Sequence, residues 1–114
     1  MTSDNKRENF RIHYLGKDSP IFVVGITEYR VIDLSMTGVL LQFPKTLEAP
    51  PLDDFYEGVI KFQDSTLSPV SGTVVRVDKF QMRIALVFVK MLPGAVLMEQ
   101  HRHWINKMKG RKVR

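Results

Sequence analysis

Apolar positions from Phe10 to Leu92 recur mostly with a period of two. In "FRIHYL" (Phe10 to Leu15) Phe10, Ile12 and Tyr14 alternate with polar neighbours, the pattern of a strand with one face in a core. "GKDSP" (Gly16 to Pro20) is a loop, and "IFVVGI" (Ile21 to Ile26) and "EYRVIDLS" (Glu28 to Ser35) are short β-branched and aromatic runs around Gly25. "GVLLQF" (Gly38 to Phe43) is stopped by Pro44, which opens a proline-rich connection to Asp54. "FYEGVIKF" (Phe55 to Phe62), "VSGTVVRVD" (Val70 to Asp78) and "MRIALVFVKM" (Met82 to Met91) read as longer strands, the last two joined by a hairpin over Val77 to Met82. Short strands with turn signals about every 8–12 residues predict a closed barrel or a sandwich.

Beyond Leu92 the period changes. Pro93 suits the first turn of a helix, and Leu97, His101, Trp104, Ile105 and Met108 fall on one helical face. Gly110 stands where a C-terminal stop is expected. The spacing therefore predicts a barrel over residues 10–92, a helix over 93–109 and a tail over 110–114. The Trp104 stripe is read as packed on the barrel, the alternative being a surface for a partner.

Composition narrows this picture. With 114 residues, 44% apolar and 25% charged, the chain forms one ordinary globular domain, residues 1–114. No apolar run approaches the ~20 residues of a membrane-spanning helix, and the polar "MTSDNKREN" start lacks the middle of a secretory signal. There is no cysteine, so no disulfide framework. A cytoplasmic location is expected. Residues 1–9 carry nothing apolar beyond Met1 and are read as a flexible arm. The formal charge is +5, and Arg102, Lys107, Lys109, Arg111, Lys112 and Arg114 lie beyond His101 with no acid among them. Such a tail suits an anionic partner or is simply solvated.

Candidate catalytic chemistry is sparse. His101 and His103 are two apart on a predicted helix and diverge, a poor metal pair. His13 lies on a strand, and Asp53 and Asp54 follow two prolines where turn roles are the default. No nucleophile elbow, "HExxH" or phosphate-cradling "GxxxxGK" occurs. The expectation is a protein that is not an enzyme and holds no metal.

Two stretches instead ask for a ligand: "KRENFR" (Lys6 to Arg11) and "DLSMTGVLL" (Asp33 to Leu41). An arginine pairs bidentately with phosphate or with O6 and N7 of guanine, and a carboxylate accepts from the opposite edge of that base. A serine hydroxyl bonds phosphate or a neighbouring amide, and glycine permits close backbone approach. Taken singly, Asp33 to Ser35 reads as a polar turn, Gly38 as a bulge, and Arg7 and Arg11 as solvated charges.

Together they form a pattern. Arg7 and Arg11 (RxxxR), then 21 residues, then Asp33, Ser35 and Gly38 (DxSxxG) resemble the two-part signature of PilZ domains, receptors for cyclic di-GMP. The resemblance covers nearly the whole chain and includes the Gly72 to Met91 hairpin. It implies an all-β fold with one helix, a six-stranded antiparallel β-barrel followed by a C-terminal helix. It also implies cyclic di-GMP as ligand, with no cofactor, held by Arg7, Arg11, Asp33, Ser35 and Gly38. Lys6 sits where family members influence whether one ligand or a stacked pair binds. A stand-alone receptor implies an unidentified downstream protein, signalled to by the arm as it orders. Two rivals stay open. One is a small barrel binding single-stranded nucleic acid through Phe10, Tyr14, Phe22 and Tyr29, a use the core-like spacing of these aromatics disfavours. The other is a ligand-free adaptor.

Overall fold

The structure, a computed structural model, describes residues 10–113, the side chains of 109–113 excepted. Lys6 and Arg7, and with them the arm over residues 1–9, lie outside the described residues.

Among the described residues seven strands follow in order: β1 (Arg11–His13), β2 (Ile21–Val24), β3 (Thr27–Ser35), β4 (Gly38–Gln42), β5 (Phe55–Lys61), β6 (Leu67–Asp78) and β7 (Arg83–Phe88). One α-helix, α1 (Gly94–Val113), follows them among the described residues. Every pairing is antiparallel, and the additional β3–β4 pairing closes the sheet on itself. Because β1 and β2 line up on the same edge of β3, at Asp33–Ser35 and Thr27–Arg30, they share one place in a six-stranded barrel. The loop between them folds through a short 3-10 turn, Gly16–Asp18.

Alternation fills the interior. Ile12, Tyr14, Phe22, Tyr29, Val31, Val39, Leu41, Phe43, Ile60, Val74, Ile84 and Leu86 are all buried. A tight two-residue turn joins β2 to β3, with Gly25 at φ +61° in the first central position, the backbone such hairpins demand.

Two register shifts interrupt the alternation. One extra residue, Ile32, stands in β3 between Val31 and Asp33, and one, Val75, in β6 between Val74 and Arg76. These are β-bulges, which reverse the facing of everything beyond them. Val31 is buried, so strict alternation would send Asp33 inward; the bulge turns Asp33 out and Leu34 in. Likewise Arg76 would follow buried Gly72 and Val74 into the core, and instead is exposed.

Helix α1 covers one side of the barrel with the predicted stripe. Leu97 is fully buried and Val96 and Trp104 pack against the core. The Trp104 ring meets Tyr14 edge-on at 6.5 Å. The helix runs through Gly110 to Val113, past the predicted stop. An interior glycine costs a helix only about 1 kcal/mol, and the basic residues around it favour a helix C-terminus.

Candidate ligand-binding site

Strand register brings distant residues into line on the outer surface. His13 pairs with Asp33, Asp33 with Leu40, Leu40 with Ala85, and Ala85 with Arg76. At ~4.8 Å between strands this row runs about 14 Å from Asp33 to Arg76. A parallel row begins with Arg11 opposite Ser35 and continues through Gly38, Val87 and Thr73. Between them lies a cleft of about 200 Å³ bounded by Arg11, Asp33, Ser35, Gly38, Arg76 and Val87. Leu40 and Ala85 give it a low apolar floor, and two guanidinium groups stand at its ends with one carboxylate beside the first. Cations and an acceptor around an apolar floor suit a planar, polar, anionic molecule.

The three residues of the DxSxxG stretch do different work. Asp33 faces the cleft, and its carboxylate accepts from Nδ1 of His13. Ser35 is buried; its hydroxyl accepts from the Gly38 and Thr37 backbone N–H groups at 3.2 and 3.3 Å. It also lies 3.3 Å from the Gly38 carbonyl, to which it donates. Through these bonds Ser35 staples the turn between β3 and β4. Gly38 is not at a bulge. A Cβ there would stand 2.4 Å from the Leu86 carbonyl oxygen, so glycine lets β4 lie close against β7. The turn is thus built by Ser35 and Gly38, and it presents Asp33.

Of the first motif, Arg11 lies on β1 at the cleft, while Arg7 and Lys6 are outside the described residues. Two residues at the site had no signal in the linear sequence. Arg76 reaches the cleft only because of the bulge at Val75, and His13 matters only because of its register with Asp33. Three of the four aromatics considered as nucleic-acid stacking platforms, Tyr14, Phe22 and Tyr29, are core residues. Phe10 packs edge-on against His101 with ring centroids 4.6 Å apart. Among the described residues no group of three or more metal-ligating side chains occurs. No described helix is long and apolar enough to cross a membrane.

A family model described as "PilZ domain" matches residues 5–105. The chain belongs to the PilZ domain family. No curated protein matches it. Among solved structures this PilZ domain is similar to the Bacillus subtilis inhibitor of motility (MotI/DgrA), with a TM-score of 0.53 at 14% identity. That match covers 85% of this chain and 50% of the Bacillus protein, so the chain spans half the length of that neighbour. An uncharacterised Legionella protein is similar over 90% of this chain and 95% of its own, at 16% identity and a TM-score of 0.51. At such identities the likeness is one of fold. PilZ domains are binding and adaptor domains, and the barrel with its single C-terminal helix agrees with the family.

Proposed function

We propose that this PilZ domain is a cyclic di-GMP receptor that acts on a partner protein and catalyses no reaction. The observation that carries the reading is the convergence of Arg11 from one motif and Asp33 from the other. They occupy neighbouring outward rows at one cleft. In this reading Asp33 accepts from N1 and N2 of a guanine, and Arg11, with Arg7, takes phosphate oxygens or the O6/N7 edge. Arg76 closes the far end and is suited to a second guanine or phosphate. Ser35 and Gly38 act by shaping the turn that holds Asp33. Lys6 is the residue whose replacement would alter whether one ligand or a stacked pair is held.

The reading is tested by calorimetric titration of cyclic di-GMP beside GTP and a single-stranded oligonucleotide. Binding of the cyclic dinucleotide alone is expected. No binding at tens of micromolar, or turnover of the nucleotide, overturns it. Signalling is expected to run through the segment carrying Arg7: the ligand should slow amide hydrogen exchange over Lys6 to Arg11, where the charges of Lys6, Arg7 and Arg11 meet its two phosphates. Protection there without ligand would move the switch to the α1 helix.

A further inference from the structure

We infer that His13 is a positioning residue for Asp33 and thereby sets the preference of the site for guanine. The inference rests on the reading of the cleft as a cyclic di-GMP site, and it concerns a residue outside both motifs.

His13 and Asp33 sit directly opposite each other on β1 and β3. Opposed residues of an antiparallel pair have Cβ atoms roughly 4.5–5.5 Å apart, a span an imidazole bridges from an ordinary rotamer. Nδ1 of His13 donates to Oδ1 of Asp33. The His13 side chain is 61% exposed and that of Asp33 is 19%, so the imidazole lies over the carboxylate as a rim. No other described hydrogen bond reaches the Asp33 carboxylate. A carboxylate on a strand end would otherwise rotate about two torsions. With Oδ1 tethered, the carboxylate of Asp33, which lines the cleft, loses its free rotation, while Oδ2 stays open and Oδ1 retains a lone pair. That is a fixed two-point acceptor, the complement of the N1–H and N2–H donors of guanine. Adenine presents no such pair, so a free Asp33 would lose guanine affinity without gaining any for adenine. Because both the neutral Nδ1–H tautomer and the imidazolium carry this donor, the tether does not depend on which is present.

The test uses the full chain and titrates cyclic di-GMP and cyclic di-AMP by calorimetry. His13→Ala is expected to weaken cyclic di-GMP about five- to tenfold. Cyclic di-AMP binding should stay unchanged, so the preference between the two falls by the same factor. His13→Asn, whose amide nitrogen stands where Nδ1 does, should restore affinity to within about twofold, whereas His13→Gln, with its amide one bond further out, should not. In an Asp33→Ala background His13→Ala should cost nothing further, since its effect passes wholly through that carboxylate. An equal loss for both dinucleotides, or a loss that persists without Asp33, would overturn the inference. So would unchanged cyclic di-GMP affinity in His13→Ala, with the receptor reading left standing. Failure of the unaltered protein to bind cyclic di-GMP would remove both together. Asn and Gln keep a polar side chain of similar bulk, so the contrast between them stands even if His13→Ala folds poorly.

Discussion

Two polar regions of this barrel treat their carboxylates in opposite ways. Beneath the α1 helix, Asp64 accepts from the Thr66 backbone N–H at 3.0 Å and from Nε2 of Gln100 at 3.1 and 3.4 Å. Partial desolvation pushes its carboxyl up, but the hydrogen bonds from Thr66 and Gln100 outweigh this and hold it below the usual carboxylate range. Asp18, buried in the turn between β1 and β2, stands 3.7 Å from Nζ of Lys107. Burial, with the Asp64 charge behind it, pushes the nearby Tyr14 hydroxyl well up. At the cleft, Asp33 meets a single described donor at one oxygen, with Arg11 and Arg76 also lining it. The first region uses its acceptors to fasten a helix. The second leaves acceptor capacity open, and open capacity at a rigid strand end is what a ligand can occupy.

The contrast is broken most severely where the two roles share a residue. Gly38→Ala forces a Cβ against the Leu86 carbonyl and should cost about 1–3 kcal/mol of stability. A lowered denaturant midpoint and lost ligand affinity together would show it. Next, Arg11→Ala and Asp33→Ala should each weaken cyclic di-GMP about tenfold or more by calorimetry. Because both sides of the cleft are surface positions, the melting temperature should move by no more than about 2 °C. Loss of fold in either would place these side chains among the fasteners instead.

A smaller effect sharpens the other side. Gln100→Ala removes two bonds to Asp64 and should destabilise by under about 1 kcal/mol, exposure of that carboxylate screening the loss. Its folded carboxyl is depressed from 3.8, so its contribution is full above that value and fades as pH falls through the lower folded one. The stability gap between the two proteins should therefore narrow in acid melts below about pH 4, with nucleotide affinity unaffected at neutral pH. The smallest expected effect is that of Lys112→Ala, which should leave cyclic di-GMP affinity nearly unchanged. A loss comparable to Arg11→Ala would favour a diffuse electrostatic surface.

Much of this was legible along the chain because alternation is a local property. Ile12, Leu41 and Phe43 announce an inward face without knowledge of their neighbours, and the Leu97–Trp104 stripe likewise announces the helix. The spacing of Asp33, Ser35 and Gly38 located the turn, though not its division of labour, which depends on the Leu86 carbonyl arriving from another strand. Arg76 and His13 were illegible for a related reason. Their significance rests on register between strands far apart in sequence, and on bulges that no composition marks: Ile32 and Val75 are ordinary β-branched residues in β-branched runs. The end of the helix was misjudged because Gly110 is a weak deterrent in so basic a segment.

The bulges also bear on how such a domain can change over generations. Every residue of the His13–Asp33–Leu40–Ala85–Arg76 row faces outward, so single substitutions can retune the cleft without touching the interior. Length is different. Losing one codon at Ile32 would carry Asp33 inward and Leu34 outward, exchanging a charge for a core side chain along the rest of β3. Lineages of this barrel are free to edit the letters of the row while the count of residues in β3 and β6 stays closed to them.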